Sequence, residues 1–181
     1  MGEDSDGILV RRCCDGDRRA FSTLVVRYEK PVYNAALRML RNPEDARDVT
    51  QTVFLKAFEH LGDYDPKYRF YSWIYRIALN ESINALHRRT RLEPVSGDEV
   101  DGAPGPEDVF DREQVGRGIE DALMSLKPEY RSVIVLKHLL ECSYGEMSEM
   151  LGLPEKTVKS RLFTARQLLR DALLANGTER P

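Results

Sequence analysis

Apolar residues along this chain recur at intervals of three and four, and the strict alternation of a half-buried strand is absent. The pattern predicts an all-α protein. One apolar arc consists of Ala46, Val49, Val53, Phe54, Ala57, Phe58 and Leu61. Asn42-Pro43-Glu44-Asp45 ahead of it reads as a helix start, because Asn caps free N–H groups, Pro suits the first helical position and acids favour the positive end. The opposite face holds Asp45, Asp48, Gln51, Thr52, Leu55 and Glu59, and Leu55 is the one apolar side chain among them. A further helix is predicted from a cap at Ser72 to about Arg91, with Trp73, Asn80, Asn84, His87 and Arg91 in one stripe. Ser143 to Leu151 reads as a short helix, Gly152 as a turn and Pro154 as the start of another helix, which is helix-turn-helix spacing. Val158, Leu162, Ala165 and Leu169 form the inward stripe of that last helix, and Lys156, Lys159, Ser160, Phe163, Gln167 and Arg170 lie away from it.

Charge divides the chain into parts. Leu92 to Gln114 carries eight acids against the single base Arg112, a net charge of −7, while the whole chain carries −3, so the remainder carries +4. The same stretch holds Pro94, Gly97, Gly102, Pro104, Gly105 and Pro106. Like charge, Pro and Gly, and low hydrophobicity predict a flexible acidic linker over residues 92–113, between a helical module at 1–91 and a second at 114–175.

Composition excludes several classes. The longest strongly apolar run, Val133 to Leu136, is far short of a membrane span, and the acidic N-terminus lacks an apolar signal region, so a cytoplasmic protein without membrane insertion is expected. Cys13, Cys14 and Cys142 are odd in number, and two are adjacent, which implies no disulfide framework. His138 and Cys142 sit four apart, but no further pair with metal-ligand spacing is near, so no metal is expected. No Gly-rich phosphate loop, metalloprotease helix or nucleophile elbow occurs, and neither enzyme chemistry nor a cofactor is expected.

Six of the fifteen aromatic residues, Tyr64, Tyr68, Phe70, Tyr71, Trp73 and Tyr75, fall within twelve positions, interleaved with Lys67, Arg69 and Arg76. Rings that take up unstacked bases beside cations that hold phosphates suit single-stranded nucleic acid, although aromatic clusters are more often core and Trp73 and Tyr75 suit that role. Lys67 to Arg91 carries six bases and one acid, and Asn side chains can read base edges. Pro154 to Arg170 carries five bases and one acid on a helix suited to the major groove, where the outward Phe163 can meet a thymine methyl.

Three segments resemble a known family. Asp45-Ala-Arg-Asp48-Val-Thr-Gln51-Thr-Val-Phe54-Leu55-Lys56 is similar to the core-binding helix of sigma region 2, and Phe70-Tyr-Ser-Trp73-Ile-Tyr-Arg76-Ile-Ala78-Leu-Asn80 to its melting and −10 segment. Tyr144 to Arg166, with Thr157-Val-Lys-Ser-Arg161 inside, is similar to sigma region 4, and Gly16-Asp17 with Ala20-Phe21 resembles the family's N-terminal start. In this order, with only these two modules, they resemble the extracytoplasmic-function (ECF) group of bacterial sigma factors. The resemblance implies that Asp45, Asp48, Gln51, Thr52 and Leu55 contact the β′ clamp helices of core RNA polymerase, which also includes the β subunit. It implies that Tyr64, Lys67, Arg69, Phe70, Tyr71, Trp73, Arg76, Asn80, Asn84, Arg88 and Arg91 act at the −10 element of promoter DNA, with a flipped base held by the loop before Ser72. It implies that Tyr144, Lys156, Thr157, Lys159, Ser160, Arg161, Phe163, Thr164 and Arg166 act at the −35 element, and that an anti-sigma factor controls both modules. Thr164 stands where many relatives carry Arg, and Met147-Ser148 where Ile-Ala is common.

Strand opening in this reading is driven by binding alone. Unpairing costs a few kcal/mol per base and stacking returns about 1–3 kcal/mol, so polymerase contacts must tip the balance. Two other classes remain open on the sequence. A stand-alone helix-turn-helix regulator would bind paired half-sites tightly as a dimer. An interaction adaptor would show no specific DNA effect and a shallow salt dependence. Adjacent Cys13 and Cys14 also fit a redox sensor, although Arg11 and Arg12 beside them are balanced by Asp15 and Asp17.

Overall fold

The structure is a computed structural model that describes residues 5–92 and 110–175, with side chains described for 5–89 and 118–175. Among the described residues all regular structure is helical. The N-terminal unit comprises α1 (Asp6–Cys14), α2 (Arg18–Leu40), α3 (Pro43–Glu59), a 3₁₀ turn at Leu61–Asp63 and α4 (Phe70–Leu92). The C-terminal unit comprises α5 (Phe110–Ser125), α6 (Pro128–Ile134), a wider π turn at Val135–Leu139, α7 (Tyr144–Leu151) and α8 (Glu155–Ala175).

In the first unit α2, α3 and α4 pack their apolar stripes together, with Leu24, Val32, Met39, Val53, Ala57 and Ile74 fully buried. The start of α3 forms as its sequence requires. The Asn42 side chain accepts from Glu44 N at 2.9 Å and Asp45 N at 3.0 Å, and Pro43 opens the helix. Helix α1 lies on α2 through buried Leu9 and Val10, and Asp6 receives hydrogen bonds from Arg27 and Tyr28. In the second unit, Ser143 and Glu146 form a reciprocal cap on α7. Gly152 at φ +63° ends α7 in the left-handed conformation that glycine adopts without strain.

Three expectations change. Helix α4 begins at Phe70, so Ser72 lies inside it, buried, and its hydroxyl has no hydrogen-bond partner among the described residues. The Arg69 carbonyl, which accepts from Trp73 N at 3.2 Å, closes the first turn. Phe58 is 48% exposed, although it falls on the apolar arc of α3, and it meets Phe21 edge-on with ring centroids 5.0 Å apart. Helix α5 starts at Phe110, inside the end of the expected linker, and residues 93–109 of that linker lie outside the described residues.

The two units pack on each other. Arg38 pairs with Glu120 at 2.8 Å, Arg41 pairs with Asp121, and Arg69 pairs with Glu146 at 3.2 Å, with the arginine on the first unit each time. Arg131, 4% exposed, sits at the junction. It donates to the carbonyls of Leu123 (3.1 Å), Met124 (2.6 Å) and Leu126 (3.0 Å) at the end of α5, and to the carbonyl of Met39 on α2. Burial pushes its pKa down to about 10, which leaves it charged at neutral pH among four carbonyls that solvate it.

Candidate nucleic-acid interface

The outward face of α3 forms a surface of its own. Asp48 and Gln51 are exposed, Asp45 and Thr52 half-buried, and Leu55 stands 65% exposed between them. Five positions that the sequence grouped therefore share one face, with an apolar side chain held out into solvent by a rigid helix.

The aromatic cluster splits into core and surface. Phe70 is 1% exposed, with its ring centroid 5.4 Å from Tyr28, 5.8 Å from Tyr64 and 5.5 Å from Trp73. It is a core residue in this structure, which corrects its expected place on the stacking surface: its position in α4 turns it toward α2. Tyr75 is also core, and burial raises its pKa to about 12. Tyr71 is half-buried against the C-terminal unit, where its hydroxyl and the Cys142 sulfur share a hydrogen bond at 3.6 Å. Burial first, and that bond second, raise the Tyr71 pKa, and burial raises that of Cys142. Tyr68 remains exposed beside Lys67, and Trp73 and Tyr64 are half-buried, edge to face at 5.5 Å. Lys67, Arg69 and Arg76 are all exposed. Tyr68, Trp73 and Arg76 line one side of a cavity of about 540 Å³, and Ser148, Gly152 and Pro154 of the C-terminal unit line the other. The fit is close, since a Cβ at Gly152 would lie 3.2 Å from Arg76 Nη2.

Further along α4, Asn80, Asn84 and His87 of the predicted stripe are exposed, and so is Arg88. The side chain of Arg91 lies outside the described residues. Glu81, which sequence reasoning passed over as the one acid in a basic segment, is 7% exposed and pairs with Lys56 of α3 at 2.7 Å.

Helix α8 presents its predicted faces. Val158, Leu162 and Ala165 are buried, while Lys156, Thr157, Lys159, Ser160, Thr164 and Arg166 are exposed, Arg161 is half-buried and Phe163 is 67% exposed. Lys156, Thr157, Ser160, Arg161 and Thr164 line a groove of about 410 Å³ completed by Tyr130 of α6. Only packing of α6 on α8 brings Tyr130 there, and no periodicity signals it. Tyr144 lies under two ammonium groups, Lys137 Nζ at 5.0 Å and Lys159 Nζ at 5.1 Å from its ring centroid. Arg166 Nε donates to His138 Nε2 at 3.2 Å, and burial, with Arg166 and Lys137 nearby, lowers the His138 pKa. Among the described residues no group of three or more His, Cys, Asp or Glu is placed to hold a metal, and no helix is long and apolar enough to cross a membrane.

Known proteins share this organisation. Residues 24–92 match sigma-70 region 2, and residues 117–169 match sigma-70 region 4. The chain is 32% identical over 177 residues to the ECF RNA polymerase sigma factor SigW of Bacillus subtilis, covering 91% of this chain and 94% of that one. The structure of CnrH in complex with the cytosolic domain of CnrY matches at TM-score 0.72 and 30% identity, over 95% of this chain and 99% of that one. The sigma factor RpoE in complex with the anti-sigma factor NepR from Bartonella quintana, 22% identical, shares the fold at TM-score 0.67, over 88% and 98% of the two chains.

Proposed function

The chain belongs to the sigma-70 family of bacterial RNA polymerase sigma factors, in its ECF group, and from that premise we propose which of its surfaces performs each step of promoter opening. As a sigma factor it directs core polymerase to promoters. Residues 1–91 form the unit that holds polymerase and opens the −10 element, and residues 114–175 form the unit that reads the −35 element. Asp45, Asp48, Gln51, Thr52 and Leu55 meet the β′ clamp helices: an exposed Leu ringed by acids and an amide suits a basic helix with an apolar seat. Tyr64, Tyr71 and Trp73 take unstacked bases, Lys67, Arg69, Arg76 and Arg88 hold phosphates, and Asn80 and Asn84 read base edges. Phe70 supports these rings from the core. Tyr144, Lys156, Thr157, Lys159, Ser160, Arg161, Phe163, Thr164 and Arg166 face the −35 major groove. The chain catalyses no covalent step, needs no cofactor and works in the cytoplasm.

The observation that carries this reading is the pairing, in one chain, of a ring-and-cation surface on α4 with a basic helix-turn-helix on α8. The packed arrangement supports control by closure. Arg69 is neutralised by Glu146, Tyr71 is turned to Cys142, and the α7–α8 turn roofs the cavity beside Trp73. Reading the −10 element requires the units to part, and an anti-sigma factor that clasps both keeps them together. The test is transcription from a pool of genomic fragments by bacterial core polymerase, with and without the chain. Discrete new start sites that appear only with the chain are expected, and their upstream sequences will give both elements. Specific DNA binding without new starts would indicate a stand-alone regulator instead.

A further inference from the structure

Helix α4 buries one acid beneath its exposed basic and amide face. Glu81 sits on α4 with its side chain 10% exposed, between the polymerase-facing helix α3 and the stripe of Asn80 and Asn84. Its Oε1 accepts from Lys56 Nζ of α3 at 2.7 Å and also from Asn84 Nδ2, one turn further along α4, at 3.4 Å. A carboxylate facing an ammonium group offers only acceptors, so the end of the Asn84 amide turned to it must be the NH₂. This chemistry fixes an assignment that shape alone leaves ambiguous. The Asn84 carbonyl oxygen is then turned away from Glu81, on an exposed side chain.

We propose that Glu81 is a positioning residue for promoter reading: it locks the Asn84 amide with its oxygen outward, so that Asn84 selects a base whose edge carries an amino group. The inference rests on the reading that α4 faces the −10 element. Adenine, cytosine and guanine each offer an exocyclic amine to an outward acceptor, whereas thymine offers carbonyls beside its single N–H. Lys56 supplies the counter-charge, which lets an acid sit beneath a surface that must approach phosphates. It also fastens the helix that holds polymerase to the helix that reads DNA.

The test uses holoenzyme on a promoter library randomised across the −10 element, with transcripts counted by sequencing. Glu81→Gln keeps the size of the side chain but offers both a donor and an acceptor, which frees the Asn84 amide to turn over. It should relax discrimination between amino-bearing bases and thymine at one position by about fivefold or more. Asn84→Ala should flatten the same position, and Glu81→Gln added to it should change nothing further. Lys56→Arg is the structural control: it disturbs the geometry of the same ion pair but keeps the counter-charge that holds Glu81 as a pure acceptor, so it should keep base selectivity whatever its effect on folding. An even loss of output across the library in Glu81→Gln, or an effect that adds to Asn84→Ala, overturns the proposal. If Asn84→Ala leaves every position unchanged, the reading that α4 faces the −10 element falls as well, an outcome distinct from one in which Asn84→Ala acts and Glu81→Gln does not.

Discussion

Leu55→Asp separates the proposed polymerase face of α3 from the fold. Leu55 is 65% exposed on α3, so its replacement removes little buried surface. The folding cost is then mainly helix propensity and a carboxylate in the second half of the helix, together below about 1 kcal/mol. Binding is affected far more. Fully burying a Leu side chain is worth about 1.5–3 kcal/mol, and roughly two thirds of this one remains to be covered by a partner, which gives about 1–2 kcal/mol. A carboxylate left without a partner in a desolvated contact costs about a further 1–3 kcal/mol. The sum, about 3 kcal/mol, corresponds to roughly a hundredfold weaker binding to core polymerase. Leu55→Ala removes only the burial and should weaken binding about tenfold. Competition of each variant against labelled wild-type chain for core polymerase measures the loss, and urea unfolding in the same buffer measures the fold. Binding of Leu55→Asp within threefold of wild type would refute the assignment of this face, as would a loss in binding no larger than the loss in folding stability.

Arg131→Met strips four carbonyls of their shared donor, so it should destabilise the chain by about 3 kcal/mol or more in urea unfolding; a change below 1 kcal/mol would mean that water replaces the guanidinium without penalty. Trp73→Ala should leave binding to duplex promoter fragments nearly intact but slow opening of the −10 region, read by the fluorescence of 2-aminopurine placed there; unchanged opening would take Trp73 out of the stacking surface. The Glu146 carboxyl is held below its ordinary range by the Ser143 N–H, the Ser143 hydroxyl and Arg69. Its stabilising contribution is therefore present at neutral pH and lost as pH falls below about 4.5, because the unfolded state takes up the proton first. The melting-temperature difference between wild type and Glu146→Gln should be constant above about pH 5 and shrink progressively as pH falls further, and parallel curves throughout would contradict this.

What the sequence made legible was local. The start of α3 could be read because Asn, Pro and two acids each act within one helical turn, and the faces of α8 because a period of 3.6 sorts side chains whatever they pack against. Ser72 misled because a hydroxyl ahead of an apolar run marks a cap only when no earlier carbonyl closes the turn, and Arg69 supplies one. Phe70 misled because a ring flanked by cations looks the same on paper whether it faces water or Tyr28. Arg131 and Glu81 were illegible for the opposite reason. Charged residues are expected outside; Glu81 is buried against a counter-charge from another helix, and Arg131 against three carbonyls at the end of α5 and one, Met39, from the other unit. The cross-unit pairs join positions about eighty apart, which no periodicity reports.

With Arg69 proposed as a phosphate contact, its pairing with Glu146 makes promoter binding partly an ion-exchange reaction. A phosphate that reaches Arg69 does not meet a bare cation but displaces an anion the protein already supplies. Salt therefore weakens both the bond that is lost and the bond that is gained at this position. Its share of the salt dependence is correspondingly muted, and the slope of affinity against salt will undercount the phosphates this chain holds. The C-terminal unit, by lending Glu146 to Arg69, makes DNA one of two competitors for the same charge.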